Sequence, residues 1–284
     1  MPGEENDEPE MDARSRQASP ATRLSTVGVI RAALRRIRRD PVLAVPFAVV
    51  GVLVALADWL RQSDPIPVAA PDAFSDSVSL QYSVLPQGTA RTVRQVDALI
   101  DLTLPYLLWA VGLELVVALA VGLAGWLTIS RTLDSRSHPR TLGRYLLALG
   151  AIVSLPQLLG VSPVNIDNFL LGLALLAALL FVFVRLFLVP AFLVTGSGFV
   201  AALRQSARRS RGHGMTFAGL IIVVGLASWG LATVPIAGGL LSTALVAPVH
   251  AVALGIISSP ETDDVDATPS TRPGDRDGNS DGDR

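Results

Sequence analysis

Residues 103–129 read TLPYLLWAVGLELVVALAVGLAGWLTI, 27 residues with one charge, Glu114. A helix of about 20 apolar residues crosses the roughly 30 Å hydrocarbon core of a bilayer at 1.5 Å per residue. Lipid offers no partner to free backbone amides, so such a run has to be helical if it crosses. This stretch sets the fold class: an all-α, integral membrane bundle.

Five further blocks repeat the pattern. Residues 41–60, 145–161, 166–194, 216–234 and 236–257 bring the expected number of spans to about six, with a tight turn near Pro235 joining the last two. The mean hydropathy of +0.49 over 284 residues agrees. Prolines at 46, 105, 156 and 190 mark expected helix starts or kinks, because proline has no N–H to donate to the preceding turn.

A net charge of −1 conceals strong segregation. Residues 1–22 and 259–284 are acidic and read as disordered tails around a membrane domain spanning 23–258. Lysine is absent, and aspartate outnumbers glutamate about three to one, a composition expected of a halophilic, archaeal source. The acidic start does not resemble a cleavable signal peptide, so the first apolar block is expected to direct insertion.

Arginines cluster in alternate connections: Arg31, Arg35, Arg36, Arg38 and Arg39; then Arg131, Arg136, Arg140 and Arg144; then Arg204, Arg208, Arg209 and Arg211. Under the positive-inside rule these clusters share the cytoplasmic side of a plasma (cell) membrane, with both termini inside. Trp59 and Tyr106 then fall at the outer edge and Trp126 and Tyr145 at the inner one. Within 199–211, Arg204, Arg208 and Arg211 recur at helical spacing opposite Phe199, Val200 and Leu203. This predicts a short amphipathic interfacial helix whose arginines meet anionic lipid headgroups. No aromatic base-stacking platform accompanies them, so no nucleic-acid partner is expected.

The outer loop, 61–102, holds an alternating "SVSLQYSVL" and a helical-looking "TARTVRQVDALIDLTL", enough for a small lid but not for a core of its own.

Candidate chemistry is sparse. Glu114 and Arg185 lie within spans two and four, where a charge costs at least ~2.5 kcal/mol and should face the bundle interior, water or a partner. Their depths differ by roughly 10 Å if span edges align. Together they form the candidate intramembrane polar or transport site. Asp58, beside Trp59, reads as an interfacial charge. Ser197 in "TGSG" and His250 in span six are the residue types of an intramembrane serine hydrolase, but Thr195 stands where that pattern has glycine. The tail sequence "DRDGNSDGDR" opens like a calcium loop and lacks its closing glutamate. With no cysteine and isolated histidines at 138, 213 and 250, neither a metal nor another cofactor is expected.

From Leu170 to Ser258, the "RLFLVPAFLV" span end, the "TGSG" turn and "AALRQSARRSRGHG" before a closing pair of spans resemble the membrane domain attached to some glycerophosphoryl diester phosphodiesterases and related archaeal proteins. Ala202, Leu203 and Ser206 carry the match. The soluble phosphodiesterase domain is absent, so the resemblance implies a membrane fold without that hydrolase activity. The expectation is a non-enzymatic multi-pass membrane protein, organising lipid or envelope, with a small-solute or ion transporter as the alternative and a hydrolase third. Whether a second copy or another membrane protein is its partner does not follow from the residues.

Overall fold

The computed structural model describes residues 25–68, 86–89, 92, 94, 102–135, 139–158 and 169–259, with backbone alone at 152–158 and 169. Leu24–Ser259 forms one compact unit. The expected tails, the 77–85 strand, most of the 89–104 helix and His138 lie outside the described residues. Those that are described contain no strand; the protein is an all-α membrane bundle.

Helix α1, Thr26–Arg39, precedes the first span. Ser25 caps it by accepting the Gly28 N–H at 3.0 Å, and Arg36, Arg38 and Arg39 sit in its last turn, where cations suit the helix dipole. Val29 and Ala33 are buried and Ile37 packs on the core, a spacing of four that turns one face inward and the arginines outward. The arginine cluster before span one is therefore a second amphipathic helix, lying against the last span and the fifth.

A 3-10 turn at Pro41–Leu43 leads into α2, Val45–Ser63. Helix α3 is Leu104–Thr132, α4 is Pro139–Leu158 and α5 is Phe169–Leu186. Then follow α6, Val189–Val194; α7, Phe199–Arg209; α8, Gly214–Ala232; α9, Gly238–Leu241; and α10, Ala247–Ser258. Among the described residues, five stretches are long and apolar enough to cross a membrane: Pro41–Ser63, Leu104–Thr132, Leu170–Val194, Gly214–Ala232 and Gly238–Ser258. The expected span at 145–161 is helical from Pro139 to Leu158 and so starts six residues early, taking Arg140 and Arg144 into its first turns; 159–161 lie outside the described residues.

The last span is central. Of its apolar window, 67% is buried, against 22% for Leu104–Thr132 and for Leu170–Val194, whose outward residues are the lipid-facing surface. Its α10 portion touches α1, α3 and α6.

Two breaks in the spans have proline causes. Pro190 cannot donate to Leu186, so span four divides at Phe187–Leu188 into α5 and α6. The Ser206 hydroxyl of α7 fills the gap, donating to the Arg185 carbonyl at 2.6 Å and accepting from the Leu188 N–H at 3.2 Å. In the last span, Pro248 follows a π-helical stretch, Ser242–Val246, whose wider turn carries the helix past the carbonyls that a proline leaves unpaired.

Candidate functional site

Asp58, Arg61 and Asp64 are three residues apart and so share one face at the end of α2, which packs on α3. Arg61 is 3% exposed and fully engaged. Its Nε and Nη2 donate to the two carboxylate oxygens of Glu114 at 2.8 and 2.9 Å, a bidentate pair. Its Nη1 donates to Asp58 at 3.0 Å and to the Thr92 carbonyl at 3.5 Å. Asp58 also accepts from the Thr92 N–H at 3.2 Å and the Thr92 hydroxyl at 2.6 Å. One step further out, Asp64 pairs with Arg94 and accepts from Trp109 Nε1 at 3.3 Å. Arg94 is buried, and its Nε and Nη1 have no partner among the described residues.

The cluster sits nearer the end of the bundle where α2 ends and α3 begins than its middle. At the opposite end the Thr128 hydroxyl donates to the Leu43 carbonyl, registering α3 on α2. From that level Glu114 is 14 residues along α3 and Arg61 is 18 along α2, roughly 21 and 27 Å of helix. Helix α3, at roughly 43 Å, is longer than the hydrocarbon is thick. Measured from that level, Leu104 is 24 residues along α3 and Ser63 is 20 along α2, so only the first turn of α3 projects past the end of α2 and Glu114 lies toward that end of the bundle.

Next to the cluster, part of the 61–102 connection enters the bundle. A Cβ on Gly125, well down α3, would come within 3.1 Å of Pro86 Cγ. A Cβ on Gly88 would come within 2.4 to 2.5 Å of Thr243 backbone and hydroxyl atoms, so only glycine fits there. Thr89 N–H donates to Ser242 Oγ at 2.9 Å, and Thr92 reaches Asp58. The described residues 86–89, 92 and 94 thus place Pro86 beside Gly125, Gly88 and Thr89 against the π-helical stretch, and Thr92 in the Arg61 cluster. The expected lid is, over these residues, a re-entrant segment. The Thr89 N–H is met by Ser242 and the Thr92 N–H and carbonyl by Asp58 and Arg61, side chains of two different elements, as non-helical backbone at membrane depth requires.

The expected site residues separate. Glu114 is partnered by Arg61, not Arg185. Arg185 lies in the last turn of α5 and turns to α7, donating to the Ala207 carbonyl at 2.7 Å and to Ser210 Oγ at 3.2 Å, with its guanidinium 4.9 Å from the Phe181 ring centroid. It closes the C-terminus of α7, where unpaired carbonyls favour a cation. The intramembrane polar site read from Glu114 and Arg185 is therefore two sites. Asp58, read as an interfacial charge, is 6% exposed and holds Arg61. Ser197 and His250 have separate partners: the Ser197 hydroxyl faces Gln205 Oε1 at 3.3 Å, and the buried His250 ring stacks on Phe187 at 5.5 Å.

Helix α7 forms as read, with Arg204, Arg208 and Arg211 exposed. Its inward residues are Ala202 and Ser206, while Val200 of the expected apolar patch is 68% exposed. The signal for Arg61 was present in the spacing of Asp58, Arg61 and Asp64. Nothing local announced that 86–94 would enter the bundle.

No family model, no curated protein and no solved structure matches the chain. The resemblance to phosphodiesterase membrane domains therefore adds nothing to the site, and its geometry stands alone.

Proposed function

We propose that this membrane protein conducts or carries a small hydrophilic solute or ion, along a route lined by the re-entrant segment 86–94 and entered at the Arg61 cluster. The observation that carries this reading is non-helical backbone at Pro86–Thr89 packed inside the bundle, beside a π-helical interruption bearing Ser242 and Thr243. Broken helices and irregular backbone at membrane depth belong where a polar path or site is lined. The outer cluster holds three carboxylates (Asp58, Asp64 and Glu114) against two guanidinium groups (Arg61 and Arg94), a balance of −1 that favours a cation or proton. The Glu114 side chain, 43% exposed, is the member of the cluster that an entering ion reaches.

The chain has no cysteine, so a reversible lock is available. Thr89→Cys with Ser242→Cys places two thiols across a 2.9 Å hydrogen bond. In proteoliposomes loaded with sodium, potassium, chloride or a pH dye, wild type should show flux of at least one species above empty vesicles. Oxidising the double variant should abolish it and a reductant should restore it. Flux of none of the four, or flux indifferent to the crosslink, refutes the reading.

A second reading, organisation of anionic lipid at the inner surface, is favoured by the exposed arginines of α1 and α7. It shares the orientation proposed here: both termini and all three arginine clusters on the cytoplasmic side of the plasma membrane.

A further inference from the structure

At the other end of the bundle, where α1 meets α2 and α3 ends, lies an open polar cleft of about 370 Å³. Each wall carries one charge of each sign: Arg36 and Asp40 from the α1–α2 junction, Arg131 and Asp134 from the end of α3. The side chains of Arg36, Arg131 and Asp134 have no hydrogen-bond or ion-pair partner among the described residues. The Asp40 carboxylate accepts only from the Val42 N–H among them, at 3.3 Å.

The walls are held by backbone. Asp40 N–H donates to the Arg36 carbonyl at 2.9 Å, fixing that pair one helical turn apart. Helix α3 ends with Asp134 at φ 47°, a left-handed residue that aspartate tolerates, and Ser135 N–H closes the turn on the Ser130 carbonyl at 3.1 Å.

Ser130, also lining the cleft, is the second observation. It is 2% exposed, and its hydroxyl has no partner. A buried serine in a helix ordinarily bonds the carbonyl four residues back, as Thr132 does to Thr128 at 2.8 Å. An unmade buried hydroxyl is costly, so it marks a place where a ligand supplies the partner.

We propose that this cleft binds a phosphate ester bearing a primary ammonium group. The two guanidinium groups and the Ser130 hydroxyl take the phosphate oxygens, which suit planar, bidentate donors. Asp40 and Asp134 take the ammonium. A simple anion fits less well, because the two carboxylates cancel the field of the two arginines. The same chemistry is available from an aminophospholipid headgroup or from a free phosphoamine, and the cleft lies at the end of a spanning helix, where either can reach it. The site is independent of the proposed solute route.

The test is calorimetric titration of the full chain in detergent micelles with dihexanoylphosphatidylethanolamine, dihexanoylphosphatidylglycerol and soluble phosphoethanolamine. Wild type should bind the ethanolamine lipid saturably and at least tenfold more tightly than the glycerol lipid. Equal binding of phosphoethanolamine would identify a soluble ligand; binding of the lipid alone would identify a headgroup. Arg36→Gln with Arg131→Gln should weaken binding tenfold or more, and Asp40→Asn with Asp134→Asn should erase the preference over the glycerol lipid. Ser130→Ala removes only a hydroxyl that makes no bond within the chain, so it should fold unchanged by circular dichroism and still lose threefold or more in affinity. Equal affinity for the two lipids, no binding of either ethanolamine compound, or no loss in Ser130→Ala overturns the proposal.

Discussion

Replacing Arg61 by methionine should destabilise the bundle more than any single change at its carboxylate partners. Methionine matches the stem of the arginine side chain and removes the guanidinium, leaving two carboxylates that had shared it. Asp58 is 6% exposed, so its charge has almost no water to turn to. Removing one partner of a buried ion pair costs about 3–5 kcal/mol. The lower end applies here, since Asp58 keeps the Thr92 N–H and hydroxyl. Glu114→Gln is the milder change. Arg61 retains Asp58 and the Thr92 carbonyl, glutamine still offers one acceptor, and the Glu114 side chain is 43% exposed. About 1–2 kcal/mol is expected, within the range for a hydrogen bond to a charged group. Combining the two should cost less than their sum by about 1–3 kcal/mol, because the residues contact each other directly. The measurement is reversible unfolding in mixed micelles, followed by helical circular dichroism and by tryptophan fluorescence, which Trp109 reports from beside Asp64. A cost below about 1 kcal/mol for Arg61→Met, or additive effects in the double variant, would refute the clamp. A Glu114→Gln cost as large as that of Arg61→Met would place Glu114 against lipid instead of water.

Other perturbations probe the remaining contacts. Ser206→Ala should cost about 1–3 kcal/mol, the range for stranding a buried hydrogen-bonding group, because both the Arg185 carbonyl and the Leu188 N–H lose their partner; a melt within about 0.5 kcal/mol of wild type would contradict this. Arg185→Gln should raise amide exchange at 207–211 by freeing the end of α7 while leaving solute flux unchanged, and a loss of flux would return Arg185 to the transport site. Gly88→Val should expel the re-entrant segment, since its Cβ has no room beside the Thr243 backbone; a cysteine at 87 would then react with an impermeant thiol reagent only in the valine background. Single cysteines at 38 and 208 should stay unlabelled by the same reagent in intact cells and label after permeabilisation. Labelling from outside would invert the orientation.

Hydrophobic length and charge segregation are local properties, and from them the sequence by itself determined the membrane class, most span positions and the amphipathic character of α7. Proline positions likewise foretold the division at Pro190 and the helix starts at Pro46 and Pro105, because each removes a specific backbone donor. The α1 helix was legible too, in Ser25 and the spacing of Val29, Ala33 and Ile37, though it read first as a mere arginine cluster. Partners were another matter. Glu114 looked central because α3 was measured alone; only the α2–α3 register, fixed where Thr128 meets Leu43, moved it outward to Arg61. Arg185 was drawn to α7 because the break at Pro190 lets that helix fold back beneath α5. The entry of residues 86–94 depended on small or hydroxylated residues from separate parts of the chain, Gly88, Gly125 and Ser242, meeting at one place. A span is decided by its own twenty side chains against lipid, whereas a charge within it is satisfied by whichever neighbour the packed register delivers.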